Sequence, residues 1–177
     1  MRRAILDCAA SMAMNQGLTG LTIQAVADAA GVTKGGLFHH FPSKQALIEG
    51  LFRDLLERLD AEIDGYLAED PEPRGSFTRA YIRTAFSAEY ASSDSPWAAL
   101  CLSLITEPQL RGLWLQWLLD RLTRHHDTEG GVGFEIARLA ADGIWLAQIL
   151  GFHGALQTDP KQLQERLMAL TRGTSAA

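Results

Sequence analysis

Cysteine is nearly absent. Only Cys8 and Cys101 occur in 177 residues, and neither sits in a paired motif. That excludes a disulfide framework and a cysteine-built zinc site, and it fits a reduced, cytoplasmic setting. No run of about 18 uninterrupted apolar residues occurs, so no membrane partner is expected. The opening MRRAILDCAASMAMNQG has the arginines and small residues of a signal peptide. Asp7 and Asn15 break any apolar stretch in it, which argues against one. Strand-type alternation and internal repeats are also missing. Positive charge is short overall, at −5 net, and unevenly placed. Residues 1–48 carry +2 and the remainder −7, so contact with a polyanion is confined to the N-terminal segment. Against these absences stand 47% hydrophobic and 21% charged residues, an ordinary folded composition with length enough for a core.

The apolar spacing predicts helices almost throughout. Ala4 to Gln16 repeats with a period near 3.6 through Ile5, Cys8, Ala9, Met12 and Ala13, and Gly17 offers a stop. Thr22 is placed to cap a short helix through Ile23, Val26, Ala27 and Ala30. Gly31 ends it where a positive φ is needed. Thr33 caps a second short helix that stops near His40, because Pro42 disfavours helical geometry at Phe41. Ser43 caps a long helix striped with Leu47, Leu51, Leu55, Leu59 and Ile63, reaching about Leu67. DPEPRG at 70–75 breaks the chain before a helix over about 76–90, and Pro96 suits a first helical position. Thr106 with Gln109 reads as a capping box, as does Asp159 with Gln162. Between them, Val132–Gly151 is apolar on more than one face, and Asp159–Leu170 is leucine-striped. The fold class expected is all-α.

The stretch GVTKGGLFHHFPSK, residues 31–44, carries the functional signal. A nucleotide loop needs Gly-Lys-Ser/Thr after a strand, and here Lys34 precedes the glycines between helices. His39 and His40 point about 100° apart on a helix and have no third ligand at helical spacing, so no metal is expected. His125, His126 and Asp127 read as solvated loop residues, and no cofactor motif is present. What fits is a helix-turn-helix. Ala27 permits close helix approach, Gly31 makes the turn, and Val32, Leu37 and Phe41 anchor the second helix. The other side presents Thr33, Lys34, Gly35, Gly36, Phe38, His39 and His40 to a major groove.

TIQAVADAAGVTKGGLFHHFPSKQALIEGL resembles the DNA-binding module of TetR-family (tetracycline-repressor-like) transcription regulators, densely from Ile5 to about Leu51. The resemblance implies a three-helix head over 1–45 and an effector-binding and dimerisation body over 46–177. It implies a homodimer on a double-stranded, palindromic operator, released by a small-molecule effector. Matched by position, Thr22 caps the supporting helix and meets a phosphate. Thr33, Lys34 and Gly35 lie at the start of the recognition helix. Gly36 replaces a common base- or phosphate-contacting side chain, and Phe38 replaces a common tyrosine, leaving a thymine-methyl contact or packing. His39, His40 and Lys44 face the DNA backbone. In the family, the last two long helices form a four-helix bundle across the dimer axis.

The body concentrates aromatics: all four tryptophans lie there. Phe86, Tyr90, Trp97, Cys101, Trp114, Trp117, Trp145 and Gln148 are the candidate effector-binding residues, with Tyr81, Arg83 and His153 as further polar groups. Such side chains at helical spacing also serve as plain core, and that reading stays open for each. A cavity of this composition suits an apolar or aromatic molecule. Two competing classes remain. A constitutive DNA-binding protein needs no effector, and an enzyme needs converging catalytic groups that the body sequence does not display.

Overall fold

The computed structural model describes residues 1–151 and 158–172. It is all-helical there: α1 (Arg2–Gly20), α2 (Ile23–Ala29), α3 (Lys34–His40), α4 (Lys44–Glu69), α5 (Ser76–Ala85), α6 (Pro96–Leu102), α7 (Pro108–Arg124), α8 (Val132–Ile149) and α9 (Pro160–Arg172), with a 3-10 turn at Ser103–Ile105. No helix among the described residues is long and apolar enough to cross a membrane. The chain forms two compact units. One is Met1–Arg58 with Asp94–Gln116; the other is Leu59–Ser93 with the described residues from Trp117 onward.

In the first unit α1 packs against α2 and α6, burying Ile5, Leu6, Ala9 and Ala13. The helix is broken at Gly17, with φ 67° and ψ 175°, and resumes for one turn to Gly20. The expected stop is thus an interruption. Phe41 leaves α3 in extended geometry, as the following proline demands, and its buried ring seats on α4. Gly50 makes that seat. A Cβ there would stand 2.5 Å from the Phe41 ring. Trp97 at the start of α6 stacks on Phe52 of α4, with centroids 6.1 Å apart and planes 9° apart.

In the second unit α5, α8 and α9 pack on one another. Arg79 is fully buried, and its guanidinium holds the 70–75 loop together. It donates to Asp70 at 2.6 and 3.1 Å and to the carbonyls of Glu72 and Arg74. Burial pushes the Asp70 carboxyl up, but the bonds from Arg79 and the Glu72 N–H together hold it below its usual value. The N-terminus of α5 has no local side-chain cap. Glu129, more than fifty residues away, supplies one by accepting the Phe77 and Thr78 N–H groups at 2.9 and 3.2 Å. α4 and α7 are clamped at Asp60, which accepts the Trp117 indole N–H at 2.6 Å and Arg121 Nε at 2.7 Å. Arg121, 1% exposed, also donates to Asp64 at 2.6 Å.

Three local expectations are corrected. α5 ends at Ala85, so Phe86 and Tyr90 stand in the following turns. Thr106 does not cap α7; its hydroxyl donates back to the Ser103 carbonyl, and the helix begins two residues later at Pro108. The long helix runs to Glu69, slightly past its expected end. Asp159 does cap α9, accepting the Lys161 N–H at 2.7 Å.

Candidate nucleic-acid interface

The α2–turn–α3 element is assembled by local bonds. The Thr22 hydroxyl accepts the Ala25 N–H at 3.2 Å and opens α2. The helix ends when the N–H groups of Gly31 and Val32 turn back onto the carbonyls of Asp28 and Ala27, at 3.2 and 3.0 Å. Gly31 takes φ 64°, a conformation costly for any residue with a Cβ. Thr33 then caps α3 by accepting the Gly36 N–H at 3.0 Å, and Ser43 caps α4 by accepting the Ala46 N–H at 2.9 Å. Val26, Ala27, Leu37 and Phe41 are buried beneath, each large side chain contributing roughly 1.5–3 kcal/mol.

That packing turns a defined surface outward. Thr22, Thr33, Lys34, Gly35, Phe38 and His39 are exposed, while Gly36, His40 and Lys44 are half-buried. Lys34 Nζ lies 5.8 Å from the Phe38 ring centroid, so the ring supports the ammonium. The imidazoles of His39 and His40 meet edge to face at 5.5 Å. A side chain at Gly35 would meet open space, whereas one at Gly36 would crowd the Thr33 hydroxyl at 3.2 Å. Lys44 Nζ donates to the Thr19 carbonyl at 3.2 Å, which ties the start of α4 to the last turn of α1. Two of that ammonium's three donors remain for another acceptor. The surface therefore offers hydroxyl and ammonium donors, two imidazoles and accessible backbone at the start of a helix, a set suited to phosphate and base edges.

The basic start of α1 behaves differently from a simple count of cations. Arg3 pairs with Asp7 at 2.5 Å and with Asp54 at 2.6 Å, and Arg58 joins Asp54 at 2.8 Å. The hydrogen bond from Arg3 holds the Asp7 carboxyl below its usual range. Arg2 lies over the Phe41 ring at 5.5 Å. Charge in the sequence did not reveal this sequestration, because Asp54 lies 51 residues from Arg3.

The candidate effector residues fall in both units. In the first, Trp97 meets Trp114 edge-on at 5.8 Å, and Cys101 is half-buried on α6. In the second, the Trp145 indole donates to the Tyr90 carbonyl at 2.7 Å, and Trp117 is held by Asp60. Phe86 is half-buried beyond α5. The Gln148 amide oxygen is buried with no hydrogen-bond partner among the described residues. Of the further polar groups, Tyr81 donates to Asp142 at 2.6 Å and Arg83 to Glu69 at 3.0 Å, and His153 lies outside the described residues. No group of three potential metal ligands converges among the described residues.

Residues 5–51 match the family model described as bacterial regulatory proteins, tetR family, and residues 75–172 match the tetracyclin repressor-like C-terminal domain. The chain is 33% identical over 94 residues to the HTH-type transcriptional repressor KstR2 of Rhodococcus jostii. That alignment covers 53% of this chain and 46% of the repressor, so it spans less than half of that relative's length. It is 33% identical over 174 residues to the HTH-type transcriptional regulator BetI of Paraburkholderia xenovorans, covering 90% of this chain and 85% of that one. Among solved structures, the multidrug binding protein EbrR complexed with malachite green superposes with a TM-score of 0.73 at 20% identity, over 96% of this chain and 97% of that chain.

Proposed function

Since the chain belongs to the TetR family of transcription regulators, we propose that it is a homodimeric repressor that holds a palindromic operator through α3 and is released by a small apolar or aromatic effector. The observation that carries the DNA reading is the outward face of α3. Thr33, Lys34, Phe38 and His39 stand clear of the packing that buries Leu37. Thr33, Lys34 and the histidines read or position against DNA, and Thr22 and Lys44 hold phosphates on either side.

The dimer reading is supported by α8. Val132, Ile136, Leu139, Leu146 and Leu150 recur along it at spacings of four, three, seven and four residues and are all exposed, Leu139 by 63%. An apolar stripe of this kind needs a partner, and a second copy supplies the same stripe across a two-fold axis. The effector reading is supported by the aromatic side chains around Tyr90 and Trp145 and by the unpartnered Gln148 oxygen. The multidrug binding protein EbrR, which shares this fold, is complexed with malachite green. An effector acts by binding one spacing of the two recognition helices better than the other.

The test is capture of fragments of the encoding chromosome on immobilised protein at about 0.15 M salt, where phosphate contacts alone are largely screened. A small, reproducible set of fragments is expected, from which at least one apolar compound releases the protein. Uniform retention of all fragments, or none, would overturn the reading.

A further inference from the structure

The recognition helix is poor in groups that read bases by hydrogen bonding. Its seven residues, Lys34–His40, include no Asn, Gln, Arg, Asp or Glu. It therefore lacks the amide that reads adenine and the carboxylate that reads cytosine, and its polar side chains are Lys34 and the two histidines. What α3 does present is a phenyl ring. Phe38 is 39% exposed, and every other Phe, Tyr and Trp among the described residues is buried or half-buried. Singly exposed apolar side chains are common on any protein, so its location is what gives this one meaning. Phe38 follows Gly35 by three residues and is its neighbour on the helix surface. A Cβ at Gly35 would meet nothing within 4 Å, so the surface beside the ring is bare backbone that a base edge can approach closely. Lys34 Nζ lies over the ring, 5.8 Å from its centroid, which keeps an ammonium next to this apolar surface. The ring itself has no hydrogen-bonding group. In the major groove the apolar group that distinguishes one base is the thymine 5-methyl.

We propose that Phe38 is a specificity-determining residue, whose ring packs on the 5-methyl group of one thymine in each operator half-site. The Lys34 ammonium, held alongside, meets the neighbouring phosphate. Burying one methyl group against the ring raises affinity about fourfold per half-site. The inference rests on the reading of α3 as the helix that enters the groove, and it adds which base this helix selects and by what contact.

The test uses the full chain and the duplex it selects from a random pool. Each thymine of one half-site is replaced in turn by deoxyuridine, which removes the 5-methyl and leaves every hydrogen-bonding group in place. Affinity is read by fluorescence anisotropy. One replacement is expected to weaken binding about fourfold, and the others to change it little. Phe38→Ala is expected to bind the thymine and deoxyuridine duplexes equally. It keeps the wild-type slope of log affinity against log salt, because the Lys34 charge remains. Phe38→Leu, which retains an apolar side chain, preserves a preference for thymine. Two results would overturn the proposal and leave the operator reading standing: a wild-type affinity that no deoxyuridine changes, or a loss on replacement that persists in full in Phe38→Ala. Failure of the chain to select any duplex overturns both together.

Discussion

Thr33 closes the first turn of α3 and is exposed on the face proposed to meet DNA, so on that reading one side chain serves folding and recognition together. Thr33→Ala removes the bond to the Gly36 N–H and is expected to cost about 1 kcal/mol in denaturant unfolding, with a larger proportional loss of DNA affinity. Lys34 separates the two effects, since its ammonium touches only the Phe38 ring among the described residues. Lys34→Gln is expected to leave stability within about 0.5 kcal/mol and to lower the slope of log affinity against log salt by about 0.9 per head. An unchanged slope would remove Lys34 from the phosphate contacts. His125 belongs to the fold. Its ring stacks on Phe77 at 5.3 Å, and burial, helped by the charges of Arg121 and Arg124, holds its pKa below the usual value. A depressed folded pKa means that its stability contribution is full above about pH 6.5 and is lost as pH falls through the folded value. His125→Phe keeps the stack, and the loss of stability on acidification from pH 6.5 is expected to become shallower in thermal melts.

The recognition element is short and glycine-bearing. Its seven residues include Gly35 and Gly36, each costing about 1 kcal/mol of helix propensity, so packing rather than propensity holds it. Leu37→Ala is accordingly expected to cost about 2–5 kcal/mol and to abolish DNA binding, measured by unfolding and by mobility shift. This element was readable in the sequence because its determinants are local. Caps at Thr22, Thr33 and Ser43, the turn at Gly31 and the stop before Pro42 all act within four residues. The second unit was readable only as a set of helices. Glu129 caps α5 from more than fifty residues away, and the Asp60 clamp joins α4 to α7 across 57 and 61 residues. No spacing rule within one helix announces such pairings. α8 lies between these cases. Its excess of apolar faces was visible as a pattern, and the structure separates the buried Phe134, Ala137 and Ala141 from the exposed stripe. Ile136→Glu on that stripe is expected to convert a dimer into a monomer in sedimentation and to weaken operator binding strongly; a variant that stays dimeric would move the interface elsewhere.

Taken whole, the molecule is acidic, with a small basic N-terminal segment whose Arg3 is already spent on Asp7 and Asp54. Each head therefore brings few cations to DNA. On the proposed reading two heads act together to reach specific affinity, with a two-fold axis in the DNA as well as in the protein. α4 contributes residues to both compact units, and within the second Asp60 is held by Trp117 and Arg121 of α7. Everything proposed for operator release depends on two recognition helices reading successive major grooves. Selection of bound duplexes from a random pool measures this directly. The expected product is an inverted repeat whose half-site centres lie about 10–10.5 base pairs apart, or a multiple of that turn. A product lacking two-fold symmetry, or no enrichment at all, would contradict it.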